Sequence, residues 1–171
     1  NLVKFCKRMG LEIGKDVWFA DPYMYGLGFP DEYMRDAYNG MDVFTNVALG
    51  EGFGIPILEA QACGTPVIVG DWTSMSELCF AGWKVSKEEA NPIYHDCFDA
   101  FQWQATTSAI YERMEQAYQA KGDQALRNQA RRGALPYDAD DITRQYWKPV
   151  LKEMKEIIAN KPSFEKAVSV E

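Results

Sequence analysis

The sequence predicts an α/β chain, part of a doubly wound parallel sheet covered by helices on both faces and followed by a helical C-terminal tail. Three observations lead there. Short β-rich runs alternate with stretches of helical period across glycine-bearing loops over residues 1–90. The run Pro66-Val67-Ile68-Val69 is apolar throughout, as a strand buried on both faces must be. After about residue 90 the β-rich runs stop and helical spacing dominates. Residues 1–90 are therefore expected to form the sheet domain and 91–160 the helices packed on it. Residues 161–171, which carry no periodicity, are expected to be a disordered tail.

Taken in order, Leu2, Phe5, Cys6 and Met9 share one helical face, and Gly10 stops that helix. Val17 to Ala20 reads as a short strand and Asp21 to Pro30 as a loop. Asp31 opens a helix with Met34, Ala37 and Tyr38 on one side and Gly40 beyond its end. Asp42 to Asn46 reads as a strand, and Ile55 to Cys63 as a helix that tolerates Pro56 in its first turn. Gly64 ends that helix. The strand at 66–69 follows, then a short helix over 76–80 and a small strand at 83–85. In the tail, Ile110, Met114, Ala117 and Tyr118 mark one helix, and Ala125 to Arg132 a second that Gly133 and Pro136 end. Trp147 to Ile158 makes a long amphipathic third, broken at Pro162.

At 171 residues and 47% hydrophobic, the chain can bury a core without a staple. Its 25 acidic residues outnumber 18 basic ones, for a net charge of −7, which argues against non-specific binding to nucleic acid. No apolar run approaches the roughly 18 residues of a membrane span, and no signal peptide is visible. Starting at Asn1 within helix-like sequence, the chain reads as a piece of something longer. Cys6, Cys63, Cys79 and Cys97 lack CxxC pairing, and with the single histidine, His95, they form no zinc spacing. They are expected to be buried thiols of a reducing, cytoplasmic compartment.

Gly50 to Gly64 carries the chemistry. A strand feeds a loop with glycines at 50, 52 and 54, and the loop feeds a helix. Glycines permit positive φ and close approach to a ligand, and the first N–H groups of the helix point into the loop. That arrangement favours an anion, commonly phosphate, beyond the carboxyl ends of the strands. The spacing matches neither G-x-G-x-x-G nor the P-loop. Glu51 and Glu59 bracket the segment. As carboxylates they suit hydroxyls beside phosphates, a description met by a nucleotide sugar. From spacing alone, a glutamate favoured by the helix macrodipole together with an ordinary surface glutamate fits equally well.

Asp42-Val43-Phe44 and then Glu51-Gly52-Phe53-Gly54-Ile55-Pro56-Ile57-Leu58-Glu59-Ala60-Gln61-Ala62-Cys63-Gly64-Thr65-Pro66-Val67-Ile68 resemble the signature of retaining GT-B glycosyltransferases. The likeness is closest to the group 1, or family 4, set with its E-x7-E motif. Ser76-Glu77-Leu78, Gly82 to Val85 and Tyr146 to Leu151 resemble later parts of that pattern. The resemblance implies a partial Rossmann-like domain, the C-terminal, donor-binding half of a GT-B fold. It assigns Glu51, as catalytic group, to hydroxyls of the donor sugar. Gly52, Phe53 and Gly54 would line sugar and phosphates, Ile55 and Pro56 would start the diphosphate-facing helix, and Glu59 would bind the ribose. The loop near Ala20 and Asp21 would lie by the base. It further implies a nucleotide diphosphate sugar as donor, no metal or other cofactor, and an acceptor-binding N-terminal domain as partner; the net charge leads us to expect no nucleic acid partner.

Departures from the pattern are Val47-Ala48 where Pro-Ser is common and Ser76 where proline is usual. None of Lys4, Lys7, Arg8, Lys15 or Arg35 has the context of the family's diphosphate-binding Arg and Lys. The chain alone is therefore expected to be inactive, because a leaving diphosphate needs cationic stabilisation. Alternatives on the same residues are an epimerase or phosphorylase of this fold, and a non-catalytic nucleotide-sugar-binding module. An exposed sheet edge would admit self-association, and the longer protein would sit in the cytoplasm or at the cytoplasmic membrane face.

Other features have ordinary readings. Asp138-Ala139-Asp140 matches D-x-D but stands where a helix cap belongs. His95 reads as a loop or partly buried histidine. Tyr94, Phe98, Phe101 and Trp103 read as packing for the helical tail or, alternatively, as an aromatic clamp. Arg131-Arg132 is too short for a nucleic-acid patch.

Overall fold

A computed structural model describes residues 1–160, which fall into two compact units divided between Ala37 and Tyr38. The tail expected to be disordered, with Pro162, lies outside the described residues. In the first unit, α1 (Leu2–Arg8) is capped by Asn1, whose side chain accepts from Lys4 N–H. Val17 to Ala20 is not a strand. Val17 makes only an isolated bridge to Ile13, and Trp18 stays 71% exposed, because no neighbouring strand supplies a ladder. The expected loop Asp21–Pro30 instead holds α2 (Pro22–Leu27). Asp21 accepts from the N–H groups of Tyr23 and Met24, and Pro22 stands in the first turn.

Helix α3 (Asp31–Asn39) runs into the second unit, which contains the sheet. Strands β1 (Phe44–Asn46), β2 (Val67–Gly70) and β3 (Gly82–Val85) are parallel in the order β1-β2-β3. Phe44 pairs with Val67, and Val67 with Gly82. Every residue of β2 is buried, so the central strand is covered on both faces, as its apolar sequence requires. Helix α4 (Ile55–Ala62) joins β1 to β2, and α5 (Thr73–Glu77) joins β2 to β3, starting three residues earlier than the spacing predicts. The strand edges close in tightly at Gly82. A Cβ there would stand 1.9 Å from Val67 O, so only glycine can begin β3.

Gln61, on α4, is fully buried and fully bonded. Its Nε2 donates to Ile57 O (3.1 Å) and Leu78 O (2.6 Å), and its Oε1 accepts from Phe80 N (2.9 Å) and Ala81 N (3.1 Å). One side chain thus ties α4 to the turn that delivers β3. Helix α6 (Thr107–Gln119) packs on β2 and β3, and α7 (Gln124–Ala134) packs on α4.

The segment 90–105 departs from the expected helical tail. Strands β4 (Ala90–His95) and β5 (Ala100–Ala105) form an antiparallel hairpin. Phe101-Gln102-Trp103-Gln104 alternates with period two, which is strand patterning hidden inside an apparent aromatic cluster. The cluster does not pack the tail, since Tyr94, Phe98 and Phe101 are exposed. Cys97, expected to be buried, is exposed at the hairpin turn, and none of the four cysteines is in a disulfide. Residues 139–159 then run as α8 (Ala139–Ile142), a π-helical turn (Thr143–Trp147) and α9 (Lys148–Ala159). Asp138 caps α8 by accepting from Asp140 and Asp141 N–H. Among the described residues no helix is long and apolar enough to cross a membrane.

Candidate functional site

The loop between β1 and α4 is held from both ends. Asn46, the last residue of β1, accepts from Ala48 N (3.2 Å) and donates through Nδ2 to Glu51 Oε1 (3.1 Å), which orients that carboxylate. From the other side, the indole of buried Trp72 donates to Ala48 O (3.0 Å). Thr73 Oγ1 accepts from Glu51 N (3.2 Å), and Ser74 Oγ donates to Glu51 O (3.0 Å). Thr73 adopts φ 54°, a left-handed conformation that costs a β-branched residue energy. Its hydroxyl reaches Glu51 from that conformation.

Of the three loop glycines, only Gly54 takes positive φ, at 94°. Gly54 is the N-cap of α4, and its carbonyl accepts from Ile57 N (3.0 Å) and Leu58 N (3.3 Å). Among the described residues, the N–H groups of Gly52, Phe53, Gly54 and Ile55 donate to no protein acceptor. Gly52, Phe53 and Ile55 are exposed, Phe53 at 46% and Ile55 at 60%, while Gly54 between them is buried. The arrangement can receive an anion at the start of α4.

Glu59 lies about one turn into α4. Its Oε2 accepts from the hydroxyl of Tyr38 (3.2 Å). Burial first, and then the neighbouring Glu59 carboxylate, push the Tyr38 phenol up to about 12. Glu59 also lines a pocket of about 220 Å³ with Leu58, Ala62, Leu135, Tyr137 and Asp138. The ring of Phe53 lies 6.2 Å from that of Tyr137, so Tyr137 links the loop to the wall of the pocket.

The sequence-predicted residues therefore fall in two groups. Phe53 and Glu59 converge on Tyr137, while Glu51 faces Asn46 and the start of α5 and is not in the pocket wall. Sequence reasoning missed Asn46, Tyr38, Thr73, Ser74 and Tyr137. Asn46 was reachable, standing five residues before Glu51 at a strand end. Tyr38 and Tyr137 carry no local signal, because each meets Glu59 only through folding. Asp71, at the end of β2, has its carboxyl held below the usual range by the Ser76 hydroxyl and then by Lys84. Among the described residues no group of three His, Cys, Asp or Glu side chains is placed to hold a metal ion.

Residues 13–95 match the family described as glycosyl transferases group 1. The O-antigen chain mannosyltransferase B of Escherichia coli is 43% identical over 53 residues, covering 30% of this chain and 14% of that protein. The D-inositol 3-phosphate glycosyltransferase of Gordonia bronchialis is 24% identical over 166 residues, covering 81% of this chain and 35% of that protein. The chain thus matches well under two thirds of the length of either relative. Each of these is a likeness to glycosyltransferases over part of the chain.

Proposed function

We propose that this chain is the donor-binding part of a retaining glycosyltransferase that takes its sugar from a nucleotide diphosphate sugar. The observation that carries the reading is the pair of held carboxylates around backbone amides that donate to no acceptor among the described residues. Glu51 is oriented by Asn46, the N–H groups of Gly52 to Ile55 are unspent, and Glu59 is oriented by Tyr38. In this reading Glu51 accepts hydroxyls of the donor sugar. Gly52, Phe53 and Gly54 line sugar and phosphates, and the N-terminus of α4, at Ile55 and Pro56, faces the diphosphate. Glu59 accepts the ribose hydroxyls. Ionised acceptors make short, strong bonds to hydroxyls, and a helix N-terminus favours the charge that grows on a leaving diphosphate. No metal ion is required. An acceptor-binding domain outside this chain completes the enzyme, and the chain alone does not turn over.

A thermal-shift panel of the 171-residue chain with GDP, UDP, ADP and inorganic pyrophosphate tests the reading. A ligand at a hundredfold excess over its Kd stabilises by about 2.7 kcal/mol. At least one nucleoside diphosphate should raise Tm more than pyrophosphate does, and Glu59→Ala should erase that difference while leaving the pyrophosphate shift. Absence of any shift at millimolar ligand, or an unchanged difference in Glu59→Ala, overturns it.

A further inference from the structure

The β4–β5 hairpin has two unlike faces. Pro92 stands opposite Trp103, Tyr94 opposite Phe101, and Ile93 opposite Gln102. Side chains alternate along a strand, so Tyr94, Phe101 and Trp103 share one face while Ile93, His95 and Gln102 share the other. The aromatic face is turned outward, with Tyr94 52% and Phe101 64% exposed. The Gln102 face meets the loop before α4. A Cβ placed on Gly50 would stand 3.8 Å from Gln102 Nε2 and 3.5 Å from Thr73 Cγ2. Gly50 immediately precedes Glu51, and Thr73 is the residue whose hydroxyl accepts from Glu51 N–H. The Gln102 carboxamide, Thr73 and the backbone leading into Glu51 therefore surround one point.

Gln102 is half-buried, yet among the described residues its carboxamide has no hydrogen-bond partner. The contrast with Gln61, which spends both ends of its amide on backbone groups, is instructive. A carboxamide offers two N–H donors and an acceptor, whereas the ionised carboxylate of Glu51 only accepts. A sugar hydroxyl that gives its proton to Glu51 keeps lone pairs that need a donor, and a neighbouring hydroxyl needs an acceptor. Gln102 supplies both.

We propose that Gln102 is a specificity-determining residue whose carboxamide bonds hydroxyls of the sugar that Glu51 holds. The inference rests on the donor-site reading above and adds to it a wall contributed by the hairpin. Position separates its role from that of Glu59. Gln102 stands at the Gly50 end of the loop, while Glu59 lines the pocket with Tyr137 further along α4. Gln102 therefore acts on the sugar and not on the nucleoside diphosphate.

Calorimetric titration of the 171-residue chain with GDP, UDP, GDP-mannose and UDP-glucose tests this. Gln102→Met keeps the bulk and removes the hydrogen bonds, and Gln102→Ala removes both. Each should weaken the preferred sugar nucleotide about fivefold to tenfold, the worth of one hydrogen bond, and leave the matching diphosphate within twofold. Gln104→Ala, the same deletion two residues along the same face, should change neither. Equal weakening of sugar nucleotide and diphosphate, or no weakening of either, overturns the role of Gln102 while leaving the donor site standing. If the unaltered chain binds none of the four ligands, the donor-site reading fails and this inference falls with it.

Discussion

Replacing Gln61 by methionine isolates the bond that ties α4 to β3. Methionine fills nearly the same volume, so little cavity term enters, but it cannot serve the backbone groups that Gln61 satisfies. Ile57 O keeps its place in the helix ladder and loses little. Phe80 N–H, Ala81 N–H and Leu78 O lose the partners that Gln61 gives them, at a side chain that is 0% exposed. An unsatisfied buried group costs about 1–3 kcal/mol. Phe80 N is only partly buried and belongs at the low end, so the three together should cost about 4 kcal/mol. That is a large share of the 5–15 kcal/mol by which domains are ordinarily stable. Urea unfolding followed by fluorescence and circular dichroism should show a lower midpoint with an unchanged slope. A loss below about 1 kcal/mol would refute the argument, because it would mean that water reaches the turn before β3 and satisfies the abandoned groups.

Two further outcomes follow from single residues. The Tyr38 phenol lies at about 12 in the folded chain against an ordinary 10.0, so the folded state holds this proton more tightly than the unfolded one. Its contribution to stability is complete below pH 10 and is lost as pH rises towards 12. Tyr38→Phe should flatten that alkaline fall in Tm, and an unchanged slope would show that burial beside Glu59 does not govern the titration. Gly82→Ala sets a Cβ 1.9 Å from Val67 O and 2.6 Å from Val67 N, where paired strands cannot yield. It should cost more than about 4 kcal/mol and leave little soluble protein. Gly50→Ala, whose Cβ would meet nothing closer than 3.5 Å, should melt near the unaltered chain. Similar melting of the two variants would contradict the strand geometry.

The parts of the fold that sequence reveals are those decided by neighbours along the chain. The apolar run of β2, the cap at Asp138, the α4 start at Gly54 and the spacing of Glu51 and Glu59 are local chemistry, and each stands where its residues indicate. Val17 to Ala20 shows the limit. Its residues favour a strand, but a strand exists only with a partner to accept its hydrogen bonds, and none of the described strands pairs with it. The hairpin at 90–105 failed to register for the converse reason. Its period-two pattern is carried by glutamines and aromatics that also fit a helix-packing cluster until Tyr94 finds Phe101 across the turn.

The candidate site divides along the same line. Glu51, Glu59 and the glycine that opens α4 are legible because nine consecutive positions fix their spacing on a loop and a helix. What orients them comes from far along the chain: Tyr38 reaches Glu59 across 21 residues, and Thr73 and Ser74 reach Glu51 across 22 and 23. Tyr137 and Gln102 arrive from still more distant segments. A hydrogen bond depends on ångström-scale approach and angle, quantities that exist only after β2 has been buried and the helices have packed around it. The primary structure therefore specifies which groups are available for chemistry, and packing decides which of them are held, which are left open and which face one another.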